Sequence, residues 1–234
     1  MAFLGLLVAL GARADTRQVS NAASADWLRG VGKLYVPGTQ YHKGHRLNYN
    51  EHCSATLVAE PGKPSANTII TAWHCLEHYD DLSKAITFTL FYGTEKSITL
   101  EAYRYDDGGS MQADWALLRL STSIADSVAP ALVAHTRYAD EGRPIIMAGY
   151  STDSQDKRLS YDPSCSVAST PQSSPEIKET DCNAAKGASG GAVVQYTVQG
   201  EPLLVGVISQ GNGEDLSLYV PVQVFRTQLQ ASLR

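Results

Sequence analysis

The sequence predicts an all-β protein. Most of its apolar residues fall in short runs, many of them rich in β-branched side chains, and Gly, Pro, Asn and Asp separate these runs. Such runs occupy residues 34–36, 54–58, 68–71, 86–92, 115–118, 144–148, 191–196, 203–208 and 218–220. Many short strands with turn signals between them favour a β-sandwich or a β-barrel.

One short helix is predicted at the C-terminal end, over residues 222–233. Its apolar residues Val222, Phe225, Leu229 and Leu233 share one helical face. The stretch from residue 151 to residue 186 is polar and has no periodicity. A loop of this length is usually functional or mobile.

Composition bounds the size of the core and the class of partner. The chain has 234 residues, of which 43% are hydrophobic, so it has enough apolar material for one or two packed cores. The formal net charge is −5, and no run of basic residues is present. Phosphate contacts need clustered Lys and Arg, so we expect no nucleic-acid partner.

An export signal is predicted over residues 1–14, since an apolar run from Phe3 to Leu10 precedes the small-x-small pattern Ala12-Arg13-Ala14. A disordered or buried N-terminus is the alternative. The run is shorter than the ~20 apolar residues of a membrane-spanning helix, so we expect no stable membrane insertion. The signal predicts a secreted or periplasmic protein, in which residues 15–30 form a propeptide or an N-terminal extension.

Four cysteines fit an oxidising compartment. Three disulfide connectivities are available. We favour Cys53–Cys75 with Cys165–Cys182, because each pair then lies beside one candidate catalytic segment. Free thiols or a metal site are the alternatives, but no CxxC spacing is present, so we expect no metal and no cofactor.

Three segments supply the side chains of a nucleophilic catalytic site. Ser189 lies in a glycine-rich turn, His74 precedes a cysteine, and Asp114 opens an apolar strand. A histidine can take the proton of a serine hydroxyl, and an aspartate can fix the tautomer of that histidine. Each segment alone is more often structural, but the order His, Asp, Ser predicts acyl transfer. The nearby glycines let the N–H groups of Gly187 and Ser189 point at a developing oxyanion.

The chain resembles the trypsin-like, chymotrypsin-fold serine peptidases, especially their compact secreted bacterial members. The matching segments are residues 53–58, 71–75, 114–120, 187–191 and 206–211. For a peptidase domain at 31–234, the resemblance implies two antiparallel six-stranded β-barrels, at about 31–125 and 126–222, with the active site in the cleft between them. It also implies hydrolysis of polypeptide substrates through an acyl-enzyme on Ser189. We expect a monomer.

The resemblance also assigns residues to the substrate-binding region. These are Asn183 at the pocket base, Ala184 beside it, Lys186 at the mouth, Gly211 and Ser217 on the walls, and Ser209, which with Gly211 pairs with the substrate backbone. None of them is acidic, which disfavours strict cleavage after Arg or Lys. Lys186 would favour an acidic or polar P1 residue; a solvated lysine is the alternative.

Two departures from the family pattern are present. Ala188 stands where the family usually has Asp or Asn, so the pairing of that side chain with a new N-terminus is disfavoured. No disulfide ties the two pocket walls. A catalytically silent homologue that acts as a binding module is therefore the alternative function, although His74, Asp114 and Ser189 are all present. The order of the triad disfavours an α/β-hydrolase esterase.

Overall fold

The structure is a computed structural model that describes residues 15–153, 158–167 and 176–234. These residues form fourteen strands, two short 3₁₀ helices and one α-helix. The strands are β1 Gln18–Val19, β2 Val31–His42, β3 His45–Val58, β4 Ser65–Thr71, β5 Ile86–Leu90, β6 Ile98–Asp107, β7 Ala116–Ala125, β8 Val133–Ala134, β9 Ile145–Gly149, β10 Ser160–Cys165, β11 Lys178–Thr180, β12 Ala192–Tyr196, β13 Pro202–Gly211 and β14 Ser217–Pro221. The 3₁₀ helices are Asp26–Gly30 and Trp73–Leu76, and α1 is Val222–Ser232. The expected export signal, residues 1–14, lies outside the described residues.

The first sheet is a closed barrel in the order β2-β3-β4-β7-β6-β5. Strands β2 and β3 form a long hairpin whose two-residue turn, Lys43-Gly44, has positive φ at both positions, as a type I′ hairpin turn requires. Inside the barrel, Phe88 lies against Gly32, where an added Cβ would come within 2.3 Å of the ring. Glycine at this position therefore lets the aromatic side chain fill the barrel.

The second sheet is a curled half-barrel of eight strands. Strands β9 to β14 form its main part, in the order β10-β9-β12-β13-β14-β11, while β1 adds at one edge and β8 pairs in parallel with β13. The predicted all-β fold with two barrel units and a C-terminal helix is thus confirmed. Strands β1 and β8 were not predicted, because a strand of two residues is too short to show periodicity in the sequence.

A shared apolar core joins the two sheets. Ile70 and Leu117 of the first barrel lie in the same buried cluster as Val194 and Val207 of the second sheet. Phe225 of α1 belongs to this cluster and stacks on Trp115, with ring centroids 5.6 Å apart. This continuous packing fixes the cleft between the two units.

The segment at residues 15–30 packs as part of the folded unit. Strand β1 pairs antiparallel with β10, in the register Gln18↔Tyr161 and Val19↔Ser160. Trp27 and Leu28 are buried in the shared core. The prediction that residues 15–30 form a propeptide or an N-terminal extension stays a prediction.

Two disulfides flank the cleft. Cys53–Cys75 joins β3 to the 3₁₀ helix that carries His74, and Cys165–Cys182 joins β10 to the segment that leads to Ser189. This is the pairing that the sequence argument favours. In the part of the chain that the structure describes, no helix is long and apolar enough to cross a membrane.

Candidate active site

His74 and Asp114 form a tightly held pair in the wall of the first barrel. His74 lies in the 3₁₀ helix after β4, and Asp114 stands two residues before β7. The backbone N–H of His74 donates to Asp114 Oδ1 at 2.9 Å, and His74 Nδ1 lies 2.8 Å from Asp114 Oδ2. With Asp114 as the acceptor, Nδ1 of His74 is the donor, and in the neutral imidazole Nε2 then presents a lone pair.

A third donor reaches the same carboxylate from the second sheet. The hydroxyl of Ser209 on β13 donates to Asp114 Oδ2 at 2.5 Å. Asp114 is fully buried, so these hydrogen bonds replace the water that its charge has lost. Ser209, which the resemblance assigned to the substrate-binding region, thus directly contacts Asp114.

The charge of Asp114 also governs the titration of His74. Burial alone would lower the pKa of this histidine, but the hydrogen bond to Asp114 and its negative charge outweigh burial. The pKa of His74 is therefore raised above its ordinary value. Such an imidazole is a stronger base than a free histidine.

Ser189 stands on a turn that both sheets anchor. Its carbonyl oxygen accepts from the N–H of Ser54 on β3 at 2.8 Å, and the N–H of Gly190 donates to Ile208 O on β13 at 2.7 Å. Gly190 has a φ of +82°, and an added Cβ would lie 2.1 Å from Ser54 O, so only glycine fits there. The Ser189 hydroxyl donates to the backbone oxygen of Ser209 at 3.1 Å.

The peptide between Lys186 and Gly187 is held from its carbonyl side. The N–H of Thr152 donates to Lys186 O at 2.7 Å, and Thr152 Oγ1 lies 3.1 Å from the same oxygen. Because a trans peptide is planar, the N–H of Gly187 points the opposite way. Gly187 has a φ of +96°, which favours glycine. Within the described residues, no acceptor takes a hydrogen bond from the N–H of Gly187 or Ser189.

Ser54 fixes the next carbonyl along this loop. Its hydroxyl donates to Gly187 O at 2.8 Å and accepts from the N–H of Tyr150 at 2.8 Å. The sequence analysis missed both Ser54 and Thr152. A buried serine between Cys53 and Ala55 in an apolar strand was a usable signal for Ser54, whereas Thr152 lies in a polar loop without one.

The two walls of the predicted specificity pocket touch. Ala184 O accepts from the N–H of Gly213 at 3.0 Å, and a Cβ on Gly211 would lie 2.1 Å from this oxygen. Between the walls, the buried hydroxyl of Ser217 donates to Cys182 O at 2.8 Å and accepts from the N–H of Ala184 at 3.1 Å. Hydrogen bonds therefore join Ala184 both to Gly213 and to Ser217.

The remaining predicted residues lie at the two ends of this wall. Lys186 is exposed. Asn183 is buried, and its backbone N–H donates to Asp162 Oδ2 at 2.9 Å rather than to a group in the pocket. The structure thus separates Asn183, which is held from beneath, from Lys186, which faces solvent.

Comparison with known proteins identifies the family. A model of the Trypsin family matches residues 35–229, which is most of the chain. The chain belongs to the trypsin family. It is a serine-type endopeptidase that acts on polypeptides.

Solved structures share the fold. The chain is similar to the thermostable serine protease AL20 from an extremophilic microorganism (TM-score 0.65, 18% identity, 87% of this chain and 96% of that chain). It is also similar to the protease Anisep from Arthrobacter nicotinovorans (TM-score 0.64, 20% identity, 90% and 98%). A serine endoprotease from Yersinia pestis has a TM-score of 0.59 at 15% identity, with coverage of 89% and 64%. No curated protein matches the sequence significantly.

Proposed function

We propose that this trypsin-family chain is an exported endopeptidase that cleaves peptide bonds through an acyl-enzyme on Ser189. The observation that carries the proposal is the His74–Asp114–Ser209 network, which holds Nδ1 of His74 as a donor so that Nε2 can act as the base. The N–H groups of Gly187 and Ser189, which have no acceptor among the described residues, supply the complementary oxyanion site. Thr152 holds Lys186 O, the carbonyl of the peptide that carries the Gly187 N–H, and the N–H of Gly191 holds Ala188 O, the carbonyl of the peptide that carries the Ser189 N–H.

Acylation begins when the Ser189 hydroxyl turns from Ser209 O toward His74. Its oxygen attacks the substrate carbonyl carbon while Nε2 of His74 takes the hydroxyl proton. Asp114 stabilises the resulting imidazolium, and the N–H groups of Gly187 and Ser189 stabilise the tetrahedral oxyanion. The C–N bond then breaks, and His74 returns the proton to the leaving amine.

Deacylation repeats these steps with water. His74 takes a proton from a water molecule, whose oxygen attacks the acyl carbon, and the proton returns to Ser189 as the ester bond breaks. The net reaction adds one water to one peptide bond. Because a single chain supplies His74, Asp114 and Ser189, we propose that it acts as a monomer.

The substrate backbone lies along the exposed end of β13, at Gln210 and Gly211, as an added antiparallel strand. At P1 we propose a small, uncharged residue such as Gly, Ala or Ser. The contact between Ala184 O and the Gly211–Gly213 segment supports this, since it closes the wall that would accept a longer side chain. Without a buried acidic residue among the pocket residues, an Arg or Lys would be desolvated without compensation.

Secretion or a periplasmic location is proposed from the predicted export signal. The two disulfides support it, because disulfides form and persist mainly in oxidising compartments. Intact-mass analysis of the protein recovered from culture medium and periplasm tests this directly. A chain that retains residues 1–14 in the cytoplasm, with reduced cysteines, would contradict it.

A mixture of peptides with every residue represented tests the activity and the P1 preference together. The wild-type chain should cleave it after small residues, and Ser189→Ala should cleave nothing. Cleavage that is dominated by Arg, Lys or large aromatic P1 residues would overturn the closed pocket. A folded wild type that cleaves nothing would instead favour the silent binding module.

A further inference from the structure

Asp162 is a buried carboxylate that the catalytic cycle does not use. It lies on β10 and is 2% exposed. Its Oδ2 accepts two hydrogen bonds, from the backbone N–H of Asn183 at 2.9 Å and from the hydroxyl of Thr16 at 2.7 Å. A buried carboxylate without donors is strongly destabilising, so both partners matter to its position.

The first of these contacts anchors the start of the nucleophile loop, which we define as residues 183–189. Asn183 follows the disulfide cysteine Cys182 and begins the loop. Its side-chain Oδ1 is buried and has no hydrogen-bond partner within the described part of the chain. The anchor of Asn183 is therefore its backbone N–H, and that anchor depends on Asp162.

Arg17, which follows Thr16, is linked to the middle of the same loop. The Arg17 guanidinium, 11% exposed, bonds Asp153 through Nη1 at 3.0 Å and Nη2 at 2.7 Å, and Asp15 holds it from the other side at 2.7 Å. Asp153 directly follows Thr152, whose N–H binds Lys186 O. Arg17 therefore holds the residue next to Thr152, the residue that binds the carbonyl of the Lys186–Gly187 peptide.

Ala188 lies over this arrangement. A narrow cleft beneath the nucleophile loop is lined by Arg17, Asp162, Asn183 and Ala188. The methyl group of Ala188 can make no hydrogen bond, so the loop carries no polar side chain of its own next to Ser189 that reaches into the cleft. The charged groups that line the cleft, Asp162 and Arg17, come from β10 and from the N-terminal segment.

We propose that residues 15–19, the N-terminal strap, position the nucleophile loop and stay attached to the active enzyme. Thr16 and Arg17 are positioning residues: Thr16 acts through Asp162 on Asn183, and Arg17 acts through Asp153 and Thr152 on Lys186. The strap acts in place of a charged residue beside the nucleophile. This proposal rests on the proposed role of Gly187 and Ser189 as the oxyanion site.

Kinetics of the full chain tests the strap. Thr16→Val removes the hydroxyl at nearly constant volume, and it should lower kcat about tenfold with KM changed less than twofold. Thr16→Ser keeps the donor and should retain wild-type kcat. Arg17→Gln should lower kcat by a similar factor. Wild-type kcat in the Thr16→Val, Arg17→Gln double variant would overturn the proposal.

A second measurement separates failure of the strap from failure of the proposed function. In a Ser189→Ala background, which needs no activity, Thr16→Val should speed amide hydrogen exchange across residues 183–189, and Thr16→Ser should not. Unchanged exchange in the Thr16→Val variant would contradict the strap whether or not the wild type is a peptidase.

The mass of the active chain gives the third readout. Protein labelled on Ser189 by a fluorophosphonate probe should retain residues 15–19. Full labelling of a chain that has lost these residues would show that the segment is a removed propeptide and would overturn the proposal.

Discussion

The two halves of the candidate active site are held in different ways. His74 and Asp114 lie close together at the wall of a closed barrel, and two of the three hydrogen bonds on Asp114 come from His74 itself. The nucleophile loop belongs to an open, curled sheet, and its carbonyls are held by Ser54 and Thr152, which lie far from it in sequence. His74 and Asp114 thus both belong to the first barrel, whereas the nucleophile loop depends on Ser54 of that barrel and on Thr152, which follows β9 of the other sheet.

The largest effect should come from a change in the His74–Asp114 pair. Asp114→Asn places an amide opposite His74 Nδ1 and favours the wrong tautomer, so kcat should fall about 10⁴-fold, the factor that the trypsin family's own triad shows. Single-turnover kinetics measures the change. Ser209→Ala, which removes one donor but leaves the carboxylate, should cost far less. A fall of less than about tenfold in Asp114→Asn would show that this half does not set the rate.

A smaller effect is expected from loss of a contact that holds the nucleophile loop. Ser54→Ala removes the donor to Gly187 O and the acceptor of the Tyr150 N–H, so kcat should fall about tenfold with little change in KM. Thr56→Val on the same strand is the matched control, because Thr56 Oγ1 is buried without a hydrogen-bond partner among the described residues. Equal rates for both variants would mean that Ser54 does not position the oxyanion site.

The pH dependence of activity tests the His74–Asp114 pair without a change in the nucleophile loop. Acylation needs neutral His74, and its pKa is raised, so the acidic limb of kcat/KM should lie above the ordinary histidine value of about 6.5. The same shift stabilises the fold below that pH, and this stabilisation is lost as pH rises through the raised pKa. Thermal unfolding of Ser189→Ala, measured between about pH 5 and about pH 9, should show this loss of stability. The Ser189→Ala, Asp114→Asn double variant should not show it. An acidic limb of kcat/KM below about pH 6.5 would contradict the claim that Asp114 raises the pKa of His74.

The smallest effect should come from Lys186, whose side chain is exposed. Lys186→Ala should change kcat/KM by less than about twofold and leave the P1 profile unchanged, since exposed charges contribute little. Cleavage of the same peptide mixture by both proteins provides the comparison. Loss of an acidic P1 preference in the variant would show that Lys186 selects the substrate.

Local patterns made the fold class and the candidate triad predictable. Short apolar runs rich in β-branched residues, with turn residues between them, mark the strands, and short motifs surround His74 and Ser189. The supporting contacts were not predictable in this way, because Ser54 and Gly187 are 133 residues apart and Thr16 and Asp162 are 146 apart. The closed pocket wall depends on the path of the short loop after Gly211, which has no periodic signal. Short sequence motifs thus indicated the candidate catalytic residues. The contacts that orient these residues come from segments far apart in the sequence.

Stoichiometric labelling with a fluorophosphonate probe tests the central claim, that both halves assemble into one activated nucleophile in a chain with Ala188. The full chain should take up one label on Ser189, and labelling should be abolished in Ser189→Ala and strongly slowed in His74→Ala. Folded wild-type protein that remains unlabelled, with both disulfides formed, would contradict the account and favour a catalytically silent binding module.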